Sequence, residues 1–195
     1  MLSVDTPSGR AKVHLHPVDR PRAALVLGHG AAGGVTSRDL LAAMDVALSE
    51  AISVALVEQP YRVAGRRSPP AARQLDAAWI AVVDHLRKST LEDVPLIVGG
   101  RSLGARVACR TAETTTALAV LCLAFPLKPP RASSQSRLSE LDEVQVPTLV
   151  VQGARDPFGI PPATELRTVV QVPGDHSLRT DLDAVAAAVR DWLPL

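Results

Sequence analysis

Apolar and polar positions change rhythm several times along the chain, and each change predicts an element. AKVHLHPV (11–18) alternates the two kinds of side chain, as an edge strand with one face in water does. AALVLGHG (23–30) is instead a continuous apolar run closed by glycines, the pattern of a buried parallel strand. Further strands are expected at ISVALVEQP (52–60), VPLIVGG (94–100), ALAVLCLAFP (117–126), VPTLVVQG (146–153) and RTVVQVPG (167–174). Between them, apolar residues recur at helical intervals over 37–50, with Ser37 as N-cap, over about 71–88 and over 103–113. An amphipathic closing helix is expected over 180–193, capped by Thr180. PYRVAGRRSPPA (60–71) and the polar stretch from 127 to about Ser139 read as loops.

Strands alternating with helices predict a single doubly wound, mostly parallel α/β sheet with helices on both faces. No internal repeat or linker divides residues 1–195, so one domain is expected. Composition narrows the partners. With 21 basic and 20 acidic residues the charges nearly cancel, which gives no field for nucleic acid or anionic lipid. The longest apolar run, 117–125, is too short to span a bilayer, and the N-terminus lacks a basic-then-apolar leader pattern. Cys109 and Cys122 lie in apolar surroundings without metal-ligand spacing and read as reduced core thiols. A cytoplasmic protein with no metal and no cofactor is the expectation.

Gly100-Arg101-Ser102-Leu103-Gly104 matches G-x-S-x-G, and it falls between a predicted strand and a predicted helix. In that setting a serine takes a strained turn that lifts its hydroxyl above the sheet, and the flanking glycines let strand and helix close up. A hydroxyl needs a base to take its proton and a third group to orient that base. Of five histidines only His176 follows the serine, in the loop VPGDHSLRT before the last helix. Asp156, just past a predicted strand in LVVQGARDPFG, is the candidate acid, with an Asp-Pro turn as its plainer role. Asp175 is a rival, although adjacent residues rarely fold back onto one another.

Stabilising an oxyanion takes two backbone N–H donors. Leu103 supplies one, and the glycine loop after the 23–30 strand supplies the other, from Ala31 or, second, Ala32. That loop is not a P-loop, because no lysine follows in the required pattern. Gly28, Gly30 and Gly33 do have the spacing of a dinucleotide fingerprint, and Glu50 and Glu58 stand near the ribose-ligand offset, so that site stays open as an alternative. His29 precedes the serine in a tight loop and reads as structural.

With serine, acid, histidine and glycine loop in order, the chain from Val13 to its last helix resembles the α/β-hydrolase superfamily, within it the small lidless members related to dienelactone hydrolases. GHGAAGG, PYRVAGRRSPP, GGRSLGAR, FPLKPP, QGARDPFG and GDHSL carry the resemblance. It implies Ser102 as nucleophile, Asp156 as orienting acid, His176 as base, and Leu103 with Ala31 as oxyanion donors. Dienelactone hydrolases use a cysteine where this chain has Ser102, which leaves ester hydrolysis open and dienelactone in doubt as substrate.

The short segment 126–140 leaves no room for the helical lid of many relatives, so a site open to solvent is expected. Arg62, Arg66 and Arg67 on the loop and Arg101 beside the serine are candidates for an acidic group on the substrate; their plainer role is solvation or pairing with nearby acids. The leading expectation is a serine esterase or thioesterase acting on a small-molecule ester. The competing one is a non-catalytic scaffold that keeps the fold and binds a protein partner.

Overall fold

The computed structural model describes residues 1–128 and 135–193. Within them eight strands form one sheet, in the order β1-β2-β4-β3-β5-β6-β7-β8. The strands are β1 (Leu2–Thr6), β2 (Gly9–His16), β3 (Ala23–Gly28), β4 (Ile52–Glu58), β5 (Leu96–Arg101), β6 (Ala119–Leu123), β7 (Thr148–Gly153) and β8 (Arg167–Val172). β1 and β2 run antiparallel to their neighbours, and every other pairing is parallel. Six helices accompany them: α1 (Arg38–Ser49), α2 (Pro60–Val63), α3 (Ala72–Arg87), α4 (Leu103–Thr111), α5 (Leu138–Asp142) and α6 (Leu182–Trp192).

Continuous apolar runs such as Leu25-Val26-Leu27 and Leu121-Cys122-Leu123 are wholly buried because helices cover the sheet on both sides. One core joins Leu75, Trp79 and Val83 of α3 and Ala105 and Ala108 of α4 to Val26, Val98 and Val120. The opposite core joins Leu40, Ala43 and Val46 of α1 and Val185 and Val189 of α6 to Leu25, Leu27 and Leu149. This is the doubly wound α/β arrangement the pattern predicted.

Four local expectations change. β2 alternates as predicted but is not the edge, since β1 pairs along it; Ala11 and Val13 are buried while Lys12, His14 and His16 are not, so the alternation reports one uncovered face. Pro60–Val63, expected as loop, is a helical turn with proline at its start. Ser37 stands at the N-cap of α1, yet its hydroxyl makes no capping bond. Asp181 caps α6 in place of Thr180, its Oδ1 accepting the Ala184 N–H at 2.9 Å.

Cys109 and Cys122 are buried free thiols with Sγ atoms 3.5 Å apart, and their mutual bond, followed by burial, pushes the Cys122 thiol well up. Among the described residues no helix is long and apolar enough to cross a membrane, and no cluster of His, Cys, Asp and Glu could hold a metal ion. Residues 129–134, which carry part of the segment expected to lack a lid, lie outside the described residues. Among the described residues, the helix between β6 and β7 is the short α5, and no lid-sized element stands there.

Candidate active site

β5 stops at Arg101 and α4 starts at Leu103, so Ser102 must reverse the chain by itself. It does so at φ 52° and ψ −105°, a left-handed backbone that non-glycine residues rarely adopt. The Ser102 N–H donates to Leu123 O at 2.9 Å and its carbonyl accepts from Arg106 N at 3.2 Å, which holds the strained residue from both sides. Glycine is required on either flank: a Cβ on Gly100 or Gly104 would strike the carbonyl oxygen of Gly28. The close crossing of β3, β5 and α4 therefore depends on two missing side chains.

Ser102 Oγ lies 3.0 Å from His176 Nε2, and His176 Nδ1 lies 2.8 Å from Asp156 Oδ2. The three residues proposed from chain order thus meet above the carboxyl ends of β5, β7 and β8. The Asp156 carboxylate is fully buried, while the His176 ring keeps 18% of its exposure. Such an array can move a proton from the hydroxyl to the imidazole while the carboxylate holds the ring in the required tautomer. Asp175, the rival acid, spends Oδ1 on the N–H and hydroxyl of Ser177 at 2.8 and 2.6 Å, and those bonds hold its carboxyl below the usual range.

Two residues that the sequence did not single out support this array. Gln152, wholly buried on β7, donates from Nε2 to Asp156 Oδ2 at 2.7 Å, to Phe125 O at 3.1 Å and to Gly159 O at 3.0 Å. Three acceptors sharing the two hydrogens of one nitrogen set the amide orientation. Asp156 Oδ1 accepts the Phe158 N–H at 2.8 Å, so both carboxylate oxygens are occupied. The Phe158 ring then meets the His176 ring edge-on, with centroids 4.5 Å apart. The one advance signal for Gln152 was a polar residue inside an otherwise apolar strand.

The glycine loop after β3 faces the same turn: a Cβ on Gly30 would stand 3.7 Å from Ser102 Cβ. His29, buried beneath the loop, accepts the Gln59 N–H at Nε2 (3.1 Å), so Nδ1 carries the proton and donates to Gly30 O at 2.8 Å. Burial pulls the His29 pKa below its ordinary value. Because Gly30 O points to His29, the planar trans peptide turns the Ala31 N–H to the opposite side. The Tyr61 hydroxyl on α2 donates to Ala31 O at 2.9 Å and fixes the next peptide plane. Leu103 N–H, at the first turn of α4, has no intrahelical acceptor.

Arg101 reaches the His176 loop, whereas the three other candidate arginines lie on and after α2. Arg66 lines a cavity of about 410 Å³ with Gln59, Tyr61 and Val63, and none of Ser102, Asp156 and His176 borders it. Arg62 Nη1 donates to Arg66 O at 3.4 Å, and Arg67 is exposed. Arg101 is held from two distant segments: its Nε pairs with buried Asp39 at 2.9 Å and its Nη2 donates to His176 O at 2.9 Å.

Comparison with known proteins agrees with this fold. A family model described as alpha/beta hydrolase domain matches residues 21–184. None of the curated proteins compared with the sequence matches it. Among solved structures, the chain is similar to a lidless α/β serine hydrolase from Xanthomonas campestris, at TM-score 0.77 and 21% identity over 100% of this chain and 94% of that one. Est1E from Butyrivibrio proteoclasticus, with ferulic acid bound, superposes at TM-score 0.78 and 16% identity over 98% and 97% of the two chains. A dienelactone hydrolase from Anabaena variabilis does so at 0.76 and 18% over 98% and 94%. With sheet order, elbow and family match in agreement, the chain belongs to the alpha/beta hydrolase domain family.

Proposed function

We propose that the protein is a serine hydrolase that cleaves a small carboxylic ester or thioester through an acyl-enzyme. The observation that carries this reading is the unbroken chain from Ser102 Oγ through the His176 ring to the buried Asp156 carboxylate. His176 Nε2 takes the hydroxyl proton as Ser102 Oγ bonds to the substrate carbonyl carbon. The carbonyl oxygen becomes an oxyanion facing the N–H groups of Leu103 and Ala31. As the tetrahedral species collapses, the bond to the leaving group breaks and His176 returns the proton to it. Water then repeats the sequence on the acyl-enzyme, which releases the acid and restores Ser102.

A lidless rim suits small esters better than long buried acyl chains. The ferulic acid held by Est1E and the lactone hydrolysed by its dienelactone-hydrolase neighbour support a compact carboxylic ester. Arg62 on α2, Arg66 and Arg67 on the loop after it, and Arg101 are the candidates for an acidic substituent. The reading needs no metal or cofactor; balanced charge and two buried free thiols support a cytoplasmic location and a small-molecule partner.

Intact mass after treatment with a fluorophosphonate tests the proposal. One adduct on wild type, none on Ser102→Ala, and labelling slowed by about 10³-fold or more in His176→Ala are expected. A folded wild type that takes no adduct overturns the proposal and leaves the binding scaffold.

A further inference from the structure

Arg101 stands immediately before Ser102, yet its guanidinium touches three segments far apart in sequence. Nε pairs with Asp39 Oδ2 of α1 at 2.9 Å, and Nη2 donates to the main-chain oxygen of His176 at 2.9 Å. Nη1 packs over the glycine loop, where a Cβ on Gly30 would stand 2.8 Å from it. The pair is shielded from water, with 18% of the Arg101 side chain and 1% of the Asp39 side chain exposed. Buried ion pairs of this kind are little screened, and removing one partner strands the other charge.

We propose that Arg101 is a positioning residue, tying the His176 loop and the Gly30 loop to the turn that carries Ser102. The proposal rests on the serine-hydrolase reading for its kinetic consequence. His176 lies in a turn whose other bonds are mostly internal: Ser177 N and Oγ to Asp175 Oδ1, and Leu178 N to Asp175 O. The start of the loop is tied by Arg155 N to Gly174 O at 2.9 Å. At His176 itself the backbone is held by Arg101 and the ring by Asp156. With both held, Nε2 can point only at Ser102. A planar guanidinium gives one N–H to the His176 carbonyl while its charge faces Asp39, an arrangement that a lysine ammonium on a flexible stem does not reproduce. Asp39 supplies the countercharge and orients the fork from the far side.

The test uses Arg101→Lys, with the double variant Asp39→Leu/Arg101→Met in case the single change leaves Asp39 stranded and unfolds the protein. For each, kcat and KM are measured on p-nitrophenyl acetate and on mono-p-nitrophenyl succinate. Fluorophosphonate labelling rate and hydrogen exchange over 173–180 are measured alongside. The expected result is a fall in kcat of about 10–100-fold on both esters, since small misplacements of reacting groups cost that much. KM should stay within about twofold, labelling should slow in proportion, and exchange over 173–180 should quicken. A rise in KM confined to the acidic ester would make Arg101 a substrate anchor and overturn the proposal, as would unchanged constants. If wild type neither labels nor cleaves, the hydrolase reading fails on its own; exchange then decides whether Arg101 holds the loop, and an unchanged rate overturns it.

Discussion

The turn carrying Ser102 is assembled by glycines two positions away on either side, whereas the loop carrying His176 is held by residues 20 and 75 positions distant, Asp156 and Arg101. The first is written locally, in glycines that flank the serine and admit the close approach of Gly28. The second is a tertiary solution, in which strands β5 and β7 bring a guanidinium and a carboxylate to a loop with no regular structure. A local device shows as a spacing in the sequence. A remote one shows only as scattered polar residues whose partners are unknown until the chain is folded.

That contrast can be broken most severely at the elbow. Gly104→Val would drive a side chain into the Gly28 carbonyl, and it should lower stability by about 3 kcal/mol, read as a drop in the urea midpoint. The remote device should fail more gently. Gln152→Met keeps the volume but removes a donor to a buried carboxylate, a loss of about 1.5–3 kcal/mol, or about 10–100-fold in kcat/KM with the fold intact. An unchanged kcat/KM would make Gln152 a packing residue only. Tyr61→Phe removes one neutral hydrogen bond to the glycine loop, worth about 0.5–1.5 kcal/mol, and should slow acylation by less than about tenfold.

The smallest effect is expected with pH. Burial lowers the His29 pKa, so the folded protein resists a proton that the unfolded chain accepts near pH 6.5. Stability from this site is therefore full above about pH 6.5 and is lost as pH falls through the lowered value. Denaturant midpoints between pH 7 and 5 should show that decline in wild type and a shallower one in His29→Gln. Equal slopes would place the acid sensitivity elsewhere.

Much of the site was legible because chain order restricts it. Ser102 sat in a diagnostic spacing, His176 was the sole histidine after it, and Asp156 stood at the end of a strand. Their mutual distances then followed from parallel strands delivering all three to one edge of the sheet. The partners of Arg101 were not legible, because Asp39 and the His176 carbonyl approach it from distant segments. Gln152 and Phe158 escaped notice for the same reason, since a buried amide or a ring against an imidazole leaves no periodic trace.

By itself the sequence determined the succession of strands and helices, the apolar runs and the glycines flanking Ser102, because each shows within a few neighbouring residues. The tertiary structure alone decided that β1 covers β2, that the Gln152 amide meets the Asp156 carboxylate, and that the Arg101 guanidinium faces inward. Hydrogen bonds and ion pairs act over about 3 Å, and only folding brings residues from different strands that close.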